Sequence, residues 1–152
     1  MRGRGRRRFA NFLSGLVVTL AWIFGANSAS AEIRIRHDPG GLIAGHMQAF
    51  AEIRDAGESV VIDGPCYSAC TLVLGVVPQE RICVTRRARL GFHAAWAFAP
   101  DGSQITSESG TASLWRIYPP RVRSWISRKG GLSRKMIVLS GRDLTSMYRT
   151  CR

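Results

Sequence analysis

Residues 59–76, SVVIDGPCYSACTLVLGV, indicate the fold class of the chain. Its first part, Ser59–Asp63, is an apolar, β-branched run of the kind expected in a buried parallel strand. Gly64-Pro65 ends that strand, and residues 67–76 are apolar enough to form a buried helix. The stretch therefore predicts a strand, a tight turn and a helix, which is the repeating unit of an α/β fold.

The segments that flank this stretch continue the alternation of strands and helices. Glu32–His37 alternates with a period of two, as a strand does, and Leu42–Arg54 has apolar residues at helical spacing. After the central stretch we predict two short strands, near Arg81–Val84 and Arg89–Phe92. This order favours an α/β fold with a mainly parallel sheet flanked by helices.

The carboxyl-terminal part of the chain has a weaker pattern. We predict a polar loop over residues 98–109 and a helical stretch over Thr111–Ser127 that Pro119-Pro120 interrupts. A further short helix is predicted over Leu132–Leu139. A chain of 152 residues has room for one compact domain and excludes a multidomain enzyme.

The first 31 residues have the layout of an export signal. The arginine-rich MRGRGRRR precedes an apolar run, Phe12–Ala26, and the small residues Ala29-Ser30-Ala31. The apolar run is shorter than the roughly 20 residues of a membrane-spanning helix, although retention as an anchor is the alternative. We expect cleavage after Ala31. Residues 32–152 would then form a single periplasmic or secreted domain without a transmembrane segment.

The charge of the chain does not indicate a nucleic-acid partner. The net charge is +12, but five of the 22 basic residues lie in the predicted signal. The remainder has 17 basic and 10 acidic residues, which is short of a dedicated nucleic-acid arm. An exported protein also meets little nucleic acid, so we expect no such partner.

Four cysteines follow the predicted signal: Cys66, Cys70, Cys83 and Cys151. In an oxidising compartment an even number of cysteines favours disulfides, and four cysteines allow three pairings, among which the sequence does not choose. The alternative is a zinc site made by the first three cysteines and His93. It is the weaker reading because no second closely spaced ligand pair follows Cys66 and Cys70.

Three residues could carry chemistry. Ser68 lies where a buried strand meets a helix, a place that suits a nucleophile. His93 follows a predicted strand, and Asp143 is a late acid in the segment SGRDL. Together they could form a triad in which imidazole takes the hydroxyl proton and the carboxylate orients the ring. No cofactor motif is present, and we predict neither a cofactor nor a metal.

The motifs around these residues resemble the Clp protease proteolytic subunit and its crotonase-like superfamily. The similarity lies in Asp38-Pro39-Gly40-Gly41, in GPCYSAC at residues 64–70 and in ARLGFH at residues 88–93. The pieces CYSAC and LGFH more narrowly resemble small exported bacterial Clp-like proteins. The similarity covers Ile33 to His93, whereas Asp143 matches only by its position in the chain.

The resemblance implies a truncated crotonase-like fold, because the catalytic subunits of the family are longer at the amino end. It also implies Ser68 as the nucleophile, His93 as the general base and Asp143 as the third member. The backbone N–H groups of Gly41 and Ala69 would form the oxyanion hole. Cys66 and Cys70 are not part of the protease pattern, and as a disulfide they would brace the turn at Ser68.

Two functions remain open from the sequence. The first is an exported serine hydrolase of peptidase-like type that acts on a peptide or acyl substrate. The second is a non-catalytic envelope module that retains the fold for binding or assembly, since one fold supports unrelated activities. The resemblance also implies a homo-oligomer, because relatives assemble into rings or stacked trimers.

Overall fold

The computed structural model describes residues 31–152. The predicted export signal, residues 1–31, lies outside the described residues except for Ala31. Nine strands are present in this part of the chain: β1 (Glu32–Ile35), β2 (Ser59–Ile62), β3 (Pro65–Tyr67), β4 (Ile82–Val84), β5 (Arg89–Phe92), β6 (Trp96–Phe98), β7 (Gln104–Thr106), β8 (Ile137–Ser140) and β9 (Arg149–Thr150).

Five α-helices and two short 3₁₀-helices accompany these strands in residues 31–152. The α-helices are α1 (Ile43–Asp55), α2 (Val73–Val76), α3 (Glu108–Ile117), α4 (Pro120–Arg128) and α5 (Gly141–Thr145), and the 3₁₀-helices are Ser68–Leu72 and Gln79–Arg81. Pro120 begins α4 at a position where the missing N–H of proline costs no helical hydrogen bond. Within residues 31–152, no helix combines the length and the apolar character needed to cross a membrane.

The larger sheet has the order β1-β2-β4-β9, and every neighbouring pair in it is parallel. Val60, Val61 and Ile62 of β2 are buried, which explains why this run lacks the polar alternation of an edge strand. The predicted α/β fold with a mainly parallel sheet flanked by helices is therefore confirmed.

A second sheet carries the residues of interest. Its order is β3-β5-β8, with β3 parallel to β5 and β8 antiparallel to β5. Strands β6 and β7 form a separate antiparallel hairpin. On the outer side of β3, Asp38 forms a parallel bridge with Cys66. Three chain segments thus run in the same direction and end at one edge of this sheet.

The four cysteines are paired as Cys66–Cys70 and Cys83–Cys151. Disulfides are confirmed, and their sulfur atoms are not available as thiolate ligands for the alternative zinc site. The first bridge spans the residues on both sides of Ser68. The second ties β4 to the residue that follows β9. Two disulfides are typical of a protein from an oxidising compartment.

The buried side chain of Asp63 directly follows strand β2. Asp63 accepts hydrogen bonds from Thr85 and from the guanidinium groups of Arg34 and Arg87. These bonds, of which the one from Arg87 contributes most, lower the pKa of the Asp63 carboxyl to about 2. The carboxylate links β1 and β2 with the loop before β5.

Several predicted elements differ from those observed. The predicted loop over residues 98–109 contains most of the β6–β7 hairpin, and the predicted helix over Leu132–Leu139 ends in strand β8. β8 forms because Ile137–Leu139 pairs with β5, and this pairing outweighs the helical spacing of a short segment. Residues 67–76 begin as the last residue of β3 and a 3₁₀-helix, and only the last turn is α-helical.

Candidate active site

Ser68 lies in a strained backbone conformation directly after β3. Its φ is 54°, and among residues 31–152 it is the one residue other than glycine with a positive φ. The left-handed region costs an L-residue free energy and persists only where the surrounding structure enforces it. Such a turn between a strand and a helix exposes the side chain of its central residue, here the hydroxyl of Ser68.

Gly40 shows how tightly this turn is enclosed. A Cβ placed on Gly40 would lie 2.5 Å from Ser68 Cβ, 2.6 Å from Tyr67 O and 3.0 Å from Ala69 N. The φ of Gly40 is +89°, which also favours glycine. The bridge between Asp38 and Cys66 sets this close approach, because it places Gly40 beside Ser68.

Two backbone N–H groups beside Ser68 are free to bind a ligand. The N–H of Ala69 lies in the first turn of the 3₁₀-helix, where no intrahelical acceptor exists. The N–H of Gly40 donates to Asp38 Oδ1 at 2.8 Å. The next N–H along the chain, that of Gly41, has no acceptor in the described part of the chain. Gly41 and Ala69 are the two predicted oxyanion-hole residues, and both line the cavity at Ser68.

His93 approaches Ser68 because the strands that precede these residues are parallel neighbours. Tyr67 of β3 lies opposite Gly91 of β5, so Ser68 and His93 follow at the same end of the sheet. Both residues line one cavity of about 420 Å³, which we call the Ser68 cavity. No hydrogen bond joins the two side chains, and the Ser68 hydroxyl has no other partner within residues 31–152.

One ring nitrogen of His93 is already engaged. His93 Nδ1 lies 2.7 Å from the carbonyl oxygen of Ala94. A carbonyl oxygen can only accept, so Nδ1 carries the hydrogen and the neutral ring keeps its lone pair on Nε2. Nε2 has no partner among the described residues. This tautomer is the one that a general base needs.

Asp143 is not among the residues that line the Ser68 cavity. Its carboxylate accepts a hydrogen bond from Trp125 Nε1 at 3.0 Å, and it makes no hydrogen bond to His93 in the described structure. The Ala94 carbonyl occupies the position at His93 Nδ1 that a triad carboxylate would take. The structure thus brings Gly41, Ser68, Ala69 and His93 to one cavity, and a catalytic part for Asp143 stays a prediction.

A buried polar network, which the sequence did not predict, supports the turn at Ser68. Thr71 Oγ1 donates to the Ser68 carbonyl oxygen at 2.6 Å and lies 2.7 Å from Tyr118 Oη. The single hydroxyl hydrogen of Thr71 is used at Ser68, so Tyr118 is the donor in the second bond. Burial raises the pKa of Tyr118 to about 12, which keeps this donor protonated. In the sequence, the one sign of this network is Thr71, a polar residue within an apolar run.

Tyr118 also connects the two halves of the site. Its ring packs edge to face against Phe92, with 5.2 Å between the ring centroids. Phe92 directly precedes His93 in the chain. The same buried tyrosine therefore holds the Ser68 carbonyl through Thr71 and supports the strand that carries His93.

A second histidine braces the glycine turn. His46 Nδ1 lies 3.1 Å from Leu42 O, and its Nε2 lies 3.2 Å from Asp38 Oδ2. The same carboxylate receives the N–H of Gly40. Nothing in the sequence paired His46 with Asp38, which is eight residues earlier and outside the helix.

The walls of the Ser68 cavity are mainly apolar. No aspartate, glutamate, lysine or arginine is among its lining residues in the described chain. Its apolar side chains come from the start of α1, from strand β6 and from α3: Leu42, Ile43, Trp96, Phe98 and Leu114. The cavity thus combines Ser68, His93 and the two N–H groups with a lining that is otherwise mainly hydrocarbon.

Comparison with known proteins gives little beyond the fold. No protein-family model matches the chain, and no curated protein matches it. Among solved structures, the chain is similar to a mutant of ClpP1 from Listeria monocytogenes. The identity is 14%, the match covers 78% of this chain and 71% of that chain, and the TM-score is 0.44. Similarity at this level concerns the path of the backbone alone.

Proposed function

We propose that the protein is an exported serine hydrolase of peptidase-like type, with Ser68 as its nucleophile and His93 as its general base. One observation carries the proposal. An unbonded hydroxyl in a strained, enclosed turn shares a cavity with an imidazole whose Nε2 is free. Two unpaired N–H groups lie on the same cavity, where an oxyanion would form.

The reaction begins when Ser68 Oγ attacks the carbonyl carbon of the substrate and His93 Nε2 takes the hydroxyl proton. The substrate carbonyl oxygen becomes an oxyanion, which the N–H groups of Gly41 and Ala69 bind. One such donor lowers the barrier by roughly 3 kcal/mol. The bond to the leaving nitrogen then breaks, and His93 returns the proton to that nitrogen. Water hydrolyses the remaining ester by the same steps.

The proposal assigns the orienting role at His93 to the Ala94 carbonyl. Its oxygen accepts the Nδ1 hydrogen and stabilises the imidazolium that forms during the reaction. Asp143 is proposed as a further, more distant contributor. Its link to Trp125, whose ring lies 6.0 Å from that of Phe92, connects it to the strand before His93.

Residues 1–31 and the two disulfides support the assignment to the periplasm or the outside of the cell. The signal pattern provides the route, and disulfides persist in such compartments. The mature domain would be residues 32–152.

The second candidate is a non-catalytic envelope module that binds a partner or assembles with further copies. The observation that favours it is the β6–β7 hairpin, which exposes Trp96, Phe98 and Ile105. Exposed apolar residues of this size are typical of contact surfaces. A homo-oligomer formed through this hairpin is compatible with either function.

The test is labelling of the oxidised protein with a fluorophosphonate probe, which reacts with activated serines. We expect labelling of the wild type, none in Ser68→Ala, and a rate at least roughly a hundredfold lower in His93→Ala, because general bases contribute that much. Ser127→Ala, on the exposed side of α4, is the matched control and should react like the wild type.

The outcomes separate the candidate functions. Labelling that persists in Ser68→Ala, or a wild type that never reacts, rejects the hydrolase and favours the binding module. Asp143→Asn reports on the third role, because asparagine keeps an acceptor for Trp125 Nε1. A lower labelling rate supports a part for Asp143, and an unchanged rate leaves a Ser68–His93 pair.

A further inference from the structure

A second cavity adjoins the Ser68 cavity at His93. It has a volume of about 300 Å³, and we call it the Arg134 cavity. His93 and Trp96 line both cavities, whereas Ser68 lines only the first. A ligand that passes His93 can therefore occupy both spaces, with its reacting bond beside the imidazole.

The two cavities differ in chemistry. The Ser68 cavity is apolar and has no arginine or carboxylate among its described lining residues. The Arg134 cavity has Arg134 and Gln104 among its lining residues. Arg134 forms no hydrogen bond or ion pair with any residue in the range 31–152. An arginine without a carboxylate partner, on a cavity beside a candidate base, is available for an anionic ligand.

Space beyond Arg134 allows for a larger group on the same side. A third cavity, of about 840 Å³, shares Ala94, Thr106 and Arg134 with the Arg134 cavity. It also contains Arg116 and Glu108, so its charged lining residues are two arginines and one glutamate. The excess of positive charge favours a negatively charged group on this side of His93.

The proposed function determines which part of a substrate lies in the Ser68 cavity and which part lies beyond His93. The acyl group stays on Ser68 during the reaction, so it belongs in the Ser68 cavity. The leaving nitrogen receives its proton from His93, so the leaving group belongs beside His93 on the other side. The Arg134 cavity lies outside the Ser68 cavity and is also lined by His93.

We infer that the leaving group carries a free carboxylate, that Arg134 binds this carboxylate, and that the enzyme removes carboxyl-terminal residues from peptides or cleaves N-acyl amino acids. This inference rests on the proposed function. In the step concerned, the bond from Ser68 Oγ to the acyl carbon forms and the last amide C–N bond breaks. The Ser68 proton passes through His93 to the departing nitrogen, and water later releases the acyl group as a carboxylic acid.

The test compares two substrates that differ in one group: benzyloxycarbonyl-phenylalanyl-alanine with a free carboxylate, and the same compound with a carboxyl-terminal amide. We expect the wild type to cleave the acid with a kcat/KM roughly tenfold higher, which corresponds to about 1.4 kcal/mol. Arg134→Gln should abolish this preference. Arg128→Gln is the control, because Arg128 is exposed on α4 and lines none of these cavities.

A binding measurement separates this inference from the proposed function. Calorimetry of the acid and the amide with Ser68→Ala protein needs no turnover. Stronger binding of the acid that depends on Arg134 supports the carboxylate site, even if fluorophosphonate fails to label Ser68 and the hydrolase is rejected. Equal binding and equal cleavage of the two compounds overturn the inference. A preference for the acid that survives in Arg134→Gln overturns it as well.

Discussion

The two walls of the Ser68 cavity differ in how deeply their residues are buried and in what supports them. On one wall, the turn at Ser68 lies among residues that are fully or almost fully buried, including Cys66, Cys70 and Thr71. The other wall includes strand β6 of the β6–β7 hairpin. Every residue of these two strands is exposed, and Phe98 is 67% exposed. The first wall has a disulfide and a polar network, whereas the hairpin pairs only with itself among the described strands.

This difference indicates that the two walls have different roles. A strained backbone such as that of Ser68 needs surroundings that fix it from several sides, and only the buried wall supplies them. An exposed hairpin contributes little to the stability of the fold, so its sequence is free to serve a ligand or a partner. We therefore expect changes in the buried wall to reduce catalysis strongly, and changes in the hairpin to affect substrate binding.

Among changes in the supports of the two walls, Gly40→Ala should have the largest effect. Its new Cβ would overlap Ser68 Cβ and Tyr67 O, and the backbone carbonyl cannot move aside cheaply. We expect the fluorophosphonate labelling rate to fall by roughly a hundredfold or more, the size of effect seen when an oxyanion donor is misplaced. The melting temperature should also fall.

Gly45→Ala is the control for this change. A Cβ on Gly45 meets no atom within 4 Å, and alanine is a better helix former than glycine in α1. Its labelling rate should equal that of the wild type. If Gly40→Ala labels at the wild-type rate as well, the tight enclosure of Ser68 is not required for reactivity.

Removing each of the two disulfides should affect the labelling rate and the stability to different extents. In the chain-entropy model, the Cys83–Cys151 bridge, with a sequence separation of 68, contributes about 4 kcal/mol to the free energy of unfolding. The Cys66–Cys70 bridge closes a much shorter loop and should contribute about half of that. Replacing both Cys66 and Cys70 by alanine should nevertheless slow labelling roughly tenfold, because that bridge fixes the turn at Ser68.

Denaturant unfolding and labelling rates on the same samples test this separation. The variant without Cys83 and Cys151 should be the less stable of the two, yet its folded fraction should label at the wild-type rate. If both double variants lose reactivity in proportion to their loss of stability, the Cys66–Cys70 bridge has no specific role in fixing the turn at Ser68.

Phe98→Ala should have the smallest effect. Phe98 lines the Ser68 cavity, but it is mostly exposed and packs edge to face on Trp96 at 5.2 Å. We expect KM for the acid substrate to rise about threefold, with kcat and the melting temperature nearly unchanged. Val138→Ala, an exposed change on β8 away from the cavity, should alter neither constant. A large drop in kcat would show that the hairpin takes part in catalysis.

The sequence predicted the parts of the molecule that local patterns determine. The β-branched run before Asp63 indicated the buried parallel strand β2. Gly64-Pro65 was predicted as a turn, whereas the pairing of β3 with β5 is what brings Ser68 and His93 to one edge. Strands β3, β8 and β9 and the β6–β7 hairpin were missed, because short segments form strands only when a distant partner pairs with them. The disulfide pairing likewise depends on contacts between β4 and β9 that are remote in sequence.

The sequence predicted the residues of the candidate site. It did not predict the hydrogen bonds that support them. Glycines and a serine at strand ends are visible in a sequence. The hydrogen bond between Tyr118 and Thr71, which supports Ser68, joins residues 47 positions apart, and no local pattern indicates it. The same holds for the Ala94 carbonyl at His93, since backbone acceptors carry no residue signature.

An experimental structure of the protein after reaction with the fluorophosphonate probe would test whether Ser68 is the nucleophile and whether Gly41 and Ala69 form the oxyanion hole. We predict a phosphorus atom bonded to Ser68 Oγ, with one phosphonyl oxygen about 3 Å from the N–H groups of both Gly41 and Ala69 and with His93 Nε2 facing the adduct. A phosphorus atom on another residue, or an oxygen turned away from both N–H groups, would contradict the account.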